Sequence, residues 1–92
     1  MRDQVIRGCR RTEAEQRYIR SALEIFSRLG ESRRREIRGL VEKLTDGPAE
    51  ARALFSVLVR GTTMQRASES TGVPLRRLTA LRREFFDQIP IE

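Results

Sequence analysis

Apolar residues recur along this chain at intervals of three and four, which is the period of an amphipathic α-helix. The pattern predicts helices at residues 12–29, 32–44, 48–60, 62–70 and 75–86. No segment alternates between polar and apolar residues for long enough to form a strand. The prediction is therefore an all-α fold, with about five helices in a single compact bundle.

Capping residues mark the boundaries of these helices. Thr12 and Glu15 have the spacing of a capping box at the start of the first helix. Gly30 is expected to end that helix as a left-handed C-cap. Pro48 suits the first turn of the third helix. These signals assign each helix to its own segment of the chain.

The apolar positions also identify the candidate core. The first helix carries a stripe of five apolar residues and an adjacent ridge of three: Ala14, Tyr18, Ala22, Ile25 and Leu29, then Ile19, Leu23 and Phe26. The second and third helices contribute eight more: Ile37, Leu40, Val41, Leu44, Ala51, Leu54, Phe55 and Leu58. Because the apolar face of the first helix is wider than a monomer of this size needs, we expect a homodimer.

The charge balance favours a polyanionic partner. The chain has 19 basic and 13 acidic residues, which gives a net charge of +6. Lys43 is the only lysine, and the other basic residues are arginines. Arginine binds phosphates and guanine edges in a bidentate manner, although a coding bias toward arginine explains the same ratio. We expect nucleic acid as the partner in preference to a membrane or a small acidic molecule.

The residue types that are missing exclude several chemistries. The chain has no histidine and one cysteine, Cys9, so it lacks the commonest general base, an internal disulfide and a cysteine-based zinc site. We therefore expect no enzymatic activity, no metal and no cofactor. No signal peptide and no apolar run of membrane-spanning length is visible, so a cytoplasmic protein is expected.

A helix-turn-helix pattern occupies residues 61–86, which read GTTMQRASESTGVPLRRLTALRREFF. Thr62 and Gln65 have the capping-box spacing at the start of a short helix. Gly72 tolerates the positive φ of a sharp corner, and Val73 fills that corner. Three apolar residues of the last helix then face the short one: Leu78, Leu81 and Phe85. These are the steric requirements of a helix-turn-helix, although two core helices of a bundle share the turn and the spacing.

The outer side of the last helix carries the candidate DNA contacts. At about 100° per residue, this side combines two arginines with small side chains, whose methyl groups can contact thymine while arginine reads guanine. The predicted base-reading residues are Arg76, Thr79, Ala80 and Arg83. The predicted phosphate contacts lie at the start of the short helix and beside this face: Thr62, Thr63, Gln65, Arg66 and Arg77.

Residues 48–86 resemble the four-helix DNA-binding domain shared by LuxR-type regulators and the C-terminal, promoter-reading domain of sigma factors. The run TGVPLRRLTALRREFF looks like the LGVPxxTVxxxLxRA sequence of alternative sigma factors. Gly61 stands eleven residues before Gly72, which is a common spacing in those domains. The resemblance implies that residues 75–86 are the recognition helix.

The resemblance has limits in pattern and in extent. Ala67-Ser68 stands where these families usually have an apolar-alanine pair, and Thr71 stands where they usually have leucine. The resemblance covers fewer than half of the residues, and the remainder has no room for the other sigma-factor regions, so we do not expect a complete sigma factor.

The domain organisation follows from these assignments. Residues 1–11 are predicted to form a basic N-terminal arm, which either reaches into a groove or is a disordered tail. Residues 12–92 form a single helical domain. Within it, residues 12–47 are a helical hairpin for dimerisation or support, and residues 48–89 are the DNA-binding part.

The leading hypothesis is a sequence-specific transcriptional regulator that binds double-stranded DNA as a homodimer. One alternative is a DNA-packaging or maintenance adaptor resembling a small terminase subunit, and another is a protein-interaction module that contacts RNA polymerase. The arginines within residues 33–38 form either a solvated helix face or a phosphate contact. For Arg82 there are three alternatives: it extends past the core, it pairs with a carboxylate of the first helix, or it lies at a subunit boundary. Leu75 and Phe86 lie on the same flank and could supply the apolar surface of such a boundary.

Overall fold

Five α-helices connected by short turns make up the computed structural model, which describes residues 5–91. The helices are α1 Glu13–Glu24, α2 Glu31–Leu44, α3 Pro48–Val59, α4 Met64–Thr71 and α5 Leu75–Gln88. A 3-10 turn, Phe26–Arg28, lies between α1 and α2. No strand occurs among residues 5–91, so the prediction of an all-α fold with five helices is confirmed.

The start of α1 agrees with the sequence, and its end does not. The Thr12 hydroxyl accepts a hydrogen bond from the Glu15 amide at 3.1 Å, and the Glu15 carboxylate accepts one from the Thr12 amide at 3.0 Å. The helix stops at Glu24, however, and Gly30 has a φ of −64° as the N-cap of α2. The prediction of a longer helix with Gly30 as a left-handed C-cap is therefore wrong. The 3-10 turn instead directs Phe26 into the core, edge-on to another ring at 5.3 Å.

The buried face of α1 is the ridge, not the predicted central stripe. Ile19 and Leu23 are buried, whereas Tyr18 is 48% exposed and Ile25 is 45% exposed. A polar residue shares the buried face, because Gln16 lies one turn before Ile19 and is itself buried. The apolar stripe alone could not show that α1 turns toward this glutamine.

Gln16 is buried because it binds the N-terminal segment, residues 5–11. Its Oε1 accepts a hydrogen bond from the Ile6 amide at 2.8 Å, and its Nε2 donates to the Arg11 carbonyl at 3.1 Å. Ile6 is buried in the core, and the Arg11 guanidinium donates to two carbonyls at the end of α5, those of Phe86 and Ile89. The described part of the predicted arm thus packs against the helical domain, and residues 1–4 of that prediction lie outside the described residues.

The centre of the core is one face of α5, which packs against α2, α3 and α4. Leu78, Leu81 and Phe85 have no solvent exposure, which confirms the predicted inner face. The other helices bring fully or nearly fully buried residues to it: Ile37, Val41, Ala53, Leu54 and Ala67. Several predicted core residues lie only partly buried at its edge: Leu29, Leu40, Leu44, Ala51 and Phe55.

Replacing Gln16 with alanine should weaken the attachment of the N-terminal segment and destabilise the protein. The change leaves the buried Ile6 amide and the Arg11 carbonyl without their partner, which costs about 1–3 kcal/mol. Denaturant unfolding of Gln16→Ala and wild type measures this loss. Gln65→Ala is the matched control, because Gln65 is an exposed helical glutamine. The free energy of unfolding of this variant should equal that of wild type. Equal stability of Gln16→Ala and wild type would contradict the assignment.

Candidate nucleic-acid interface

The start of α4 lies one residue later than the sequence predicts. Thr63 is its N-cap, and the Thr63 hydroxyl accepts a hydrogen bond from the Arg66 amide at 3.1 Å. The Thr62 amide donates to the Ser56 carbonyl of α3 at 3.2 Å and so does not bind the Gln65 side chain. Gln65 donates to a neighbouring carboxylate on α4 instead of completing a capping box. The prediction of a capping box formed by Thr62 and Gln65 is therefore wrong, although a short helix, α4, is present.

The corner between α4 and α5 has the predicted residues in the predicted places. Gly72 ends α4 with a φ of +79°, and its amide donates to the Ser68 carbonyl at 2.9 Å. Val73 is buried at the corner. The Ser68 hydroxyl donates to the Val73 carbonyl at 2.6 Å, and the Thr71 hydroxyl donates to the Ala67 carbonyl at 2.7 Å. The two residues that depart from the sigma-like pattern thus bind the backbone of the corner itself.

The outer face of α5 displays part of the predicted base-reading set to solvent. Arg76 and Thr79 are exposed, and Ala80 is half-buried beside them. Pro74, Arg76, Arg77 and Ala80 border one shallow depression. Within residues 5–91 no carboxylate forms an ion pair with Arg76. The Arg76 guanidinium therefore projects from α5 without a carboxylate to neutralise it.

Arg83 lies at the other end of this face, next to the N-terminal segment. It is half-buried, and a Cβ on Gly8 would lie 3.3 Å from Arg83 Cδ. Gly8 has a φ of +80°, so this close approach and this backbone angle both favour glycine. Arg7, the residue before Gly8, is exposed. No sequence pattern indicates that residues 7 and 8 adjoin Arg83, because the contact joins opposite ends of the chain.

A polar cluster below Arg83 fastens the N-terminal segment. The Arg10 amide donates to the Asp87 carboxylate at 2.8 Å, and the Arg10 guanidinium donates to the Asp87 carbonyl at 2.7 and 3.0 Å. Burial favours the protonated carboxyl of Asp87, but hydrogen bonds from Cys9 and Arg10 outweigh it, so the Asp87 pKa is lowered. Burial, followed by the contact with Asp87, raises the pKa of the Cys9 thiol against the effect of a backbone hydrogen bond. The Arg10 guanidinium is thus hydrogen-bonded to α5 within the protein.

Arg77 is also held within the protein. Its Nε and Nη2 donate to the two carboxylate oxygens of Glu50 at 3.0 and 3.1 Å, and Asp46 lies at 3.6 Å. The hydrogen bonds from Arg77 are the main reason that the pKa of Glu50 is lowered. This pair ties the start of α5 to the start of α3. A phosphate contact by Arg77 would compete with it, and the sequence could not reveal this pairing across 27 positions.

The predicted phosphate contacts of α4 surround its N-terminus. Thr63, Gln65 and Arg66 are exposed, and Thr62 is half-buried. No carboxylate of residues 5–91 forms an ion pair with Arg66. A helix N-terminus with a positive side chain beside it is a favourable environment for an anion.

The arginine-rich side of α2 has a different arrangement, since its charges have partners inside the protein. Arg33 binds Glu36 and the Pro90 carbonyl, and Arg35 binds Glu31 at 2.8 Å. The other arginines of this side contact a carbonyl or aromatic rings: Arg34 donates to Leu29, and Arg38 lies over Phe26 and Phe55. Of the two hypotheses for the arginines of residues 33–38, this arrangement favours a solvated helix face over a phosphate contact.

The described part of the chain contains no group of three or more histidine, cysteine, aspartate or glutamate side chains that could hold a metal ion. No helix in residues 5–91 is long and apolar enough to cross a membrane. No family model, curated protein or solved structure matches the chain. The assignment of this surface therefore depends on the residues themselves.

The Arg77–Glu50 pair should make stability depend on pH in the acid range. Because the pKa of Glu50 is lowered by folding, its contribution is present above the unfolded value of about 4.3 and is lost as the pH falls through the folded value. At pH 7 Glu50→Gln should lower the free energy of unfolding by about 0.2–1 kcal/mol, as for a partly exposed pair. Denaturant unfolding at several pH values measures this difference, which should shrink below about pH 4.

The control for this prediction is Glu42→Gln. Glu42 is exposed on α2 and forms no ion pair with another residue of 5–91. Its substitution should change the stability little at any of these pH values. A difference between Glu50→Gln and wild type that stays constant down to pH 2 would contradict the role given to the pair.

Proposed function

We propose that α4 and α5 form a helix-turn-helix and that the protein is a sequence-specific transcriptional regulator of double-stranded DNA. The observation that carries this proposal is the division of α5 into two faces. Its inner face is fully buried, whereas Arg76 and Thr79 on its outer face are exposed. A helix fixed by its inner face holds its outer side chains in a constant orientation, which base recognition requires.

The outer face of α5 has the chemistry to read base edges in a major groove. Arg76 can donate two hydrogen bonds to the O6 and N7 atoms of guanine. The methyl groups of Thr79 and Ala80 can contact the methyl group of thymine. Arg83 lies seven residues after Arg76, which is about 10 Å along the helix axis and spans about three base pairs.

Phosphate contacts position the helix in this proposal. Arg66 and the N-terminus of α4 bind one phosphate strand, together with the polar side chains of Thr62, Thr63 and Gln65. Arg77 contributes only if it exchanges Glu50 for a phosphate, so we rank it below Arg66. Arg7, exposed beside Gly8 and Arg83, extends the same basic surface.

The exposed apolar side chains of α1 support a dimer. Tyr18 and Ile25 are nearly half exposed, and they share a stripe with Ala14 and Ala22 at spacings of four, four and three. We propose that this stripe pairs with the same stripe of a second copy, which would place two recognition helices on a two-fold DNA site. RNA polymerase is the second candidate for the stripe, because an exposed apolar stripe fits any protein partner. Phe86 is buried, so the expected surface of Leu75 and Phe86 is reduced to Leu75.

Selection from a random duplex library, repeated over a series of salt concentrations, tests the proposal. Wild-type protein should enrich a motif with binding that weakens steeply as salt rises. Arg76→Ala should cost about 1–3 kcal/mol on that motif and relax the preference at one base pair. Arg17→Ala is the matched control, because Arg17 is an exposed arginine on α1, and it should preserve the preference. A palindromic motif is the result expected for the dimer.

Three outcomes would contradict this proposal. Absence of binding at low salt would exclude DNA as the partner and would favour the contact with RNA polymerase. Binding without an enriched motif would favour the packaging or maintenance adaptor. Unchanged specificity in both Arg76→Ala and Arg83→Ala would mean that another surface reads the bases.

A further inference from the structure

A pocket of about 410 Å³ lies between α1, the C-terminal end of α3 and α5. Three of the residues that line it are arginines: Arg20 from α1, Arg60 from the end of α3 and Arg82 from α5. Glu24 is its only acidic residue. The lining therefore carries a positive charge, and none of the proposed DNA contacts belongs to it.

Arg82 is the most unusual residue of this pocket. Its Nε is buried and has no hydrogen-bond partner in residues 5–91, and no carboxylate of those residues forms an ion pair with it. Burial, and then the positive charge of Arg20, lower the pKa of Arg82. A partly buried guanidinium without an acceptor is unfavourable, so an anion bound in the pocket that Arg82 lines would stabilise it. Pairing of Arg82 with a carboxylate of α1, one of the three expectations from the sequence, does not occur.

Arg20 faces the same space from α1 and is positioned by an aromatic ring. Its guanidinium lies 5.8 Å from the centroid of the Phe86 ring, within the range of a cation–π contact. Arg20 and Arg82 thus bring two positive charges together from separate helices. An anion placed between two such groups is attracted by both.

We propose that this pocket binds the phosphate group of a small molecule, with Arg20 and Arg82 as its two anchors. A guanidinium donates two parallel hydrogen bonds to phosphate oxygens, and a doubly charged phosphate balances two arginines better than a carboxylate does. The volume exceeds that of one phosphate group, and Leu23, Val57 and Phe86 supply apolar wall for the remainder of the ligand.

The position of the pocket separates this ligand from a phosphate of the DNA backbone. Arg82 is half-buried in the wall of this pocket, whereas the proposed DNA contacts Arg66 and Arg76 are exposed. A rigid duplex reaches side chains that project from the surface, whereas a small molecule can enter a recess between helices. Binding of a small molecule in the pocket therefore does not require that the protein binds DNA.

Titration with inorganic phosphate at constant ionic strength, followed by NMR of the arginine Nε–H signals, tests the proposal. The signals of Arg82 and Arg20 should shift in a saturable manner, and phosphate should raise the melting temperature of wild type. Arg82→Gln should weaken phosphate binding about tenfold or more. Arg17→Gln removes the same charge from an exposed position on α1 and should leave the affinity unchanged.

Further measurements test the second anchor, the choice of anion and the location of the site. Arg20→Gln should weaken phosphate binding as Arg82→Gln does, which provides a second variant if Arg82→Gln does not fold. Acetate should bind more weakly than phosphate, and equal or tighter binding of acetate would overturn the assignment to phosphate. A uniform loss of affinity in Arg17→Gln and Arg82→Gln, or no saturable shift at Arg82, would overturn the site. Displacement of phosphate from Arg82 by duplex DNA would assign the pocket to the DNA backbone instead.

Discussion

Leu78, Leu81 and Phe85 lie on one face of α5 and have no solvent exposure, and the remaining helices are arranged around them. Burial of three such side chains contributes on the order of 1.5–3 kcal/mol each to folding. α5 contacts α2, α3 and α4. The N-terminal segment closes over the C-terminal end of the same helix through Arg11. Because α5 is fixed along its inner face, the backbone positions from which its outer side chains project are fixed as well.

The basic residues of the chain divide into those with partners inside the protein and those without. Arg10, Arg11 and Arg77 bind carbonyls or carboxylates and connect α5 to the segments packed on it. Among residues 5–91, Arg76 and Arg66 have no carboxylate partner and lie on the surface that we propose for DNA. The net charge of +6 is therefore not spread evenly over the surface, because several arginines are paired within the protein while Arg66 and Arg76 are not.

The sequence predicted what local periodicity and capping determine. The spans of α2, α3 and α5, the capping box at Thr12 and the corner at Gly72 follow from residues a few positions apart. It did not predict the contacts made between distant segments. The burial of Ile6 and Gln16 depends on a hydrogen bond between two segments that share no periodic pattern. Because the buried face of α1 includes Gln16, the apolar stripe with Tyr18 and Ile25 lies partly exposed. For the candidate site, the sequence identified the exposed position of Arg76 but not the pairing of Arg77 with Glu50, because pairing depends on tertiary structure.

We propose that the outer face of α5 contacts DNA bases, and backbone amide shifts in NMR test this most directly. Labelled protein would be titrated with a duplex that carries the selected motif, at a salt concentration where non-specific binding is weak. We expect the largest changes on residues 76–83 and at the start of α4, while the exposed side of α2 changes little. Changes confined to α1 and α2, with the amides of residues 76–83 unaffected, would contradict it.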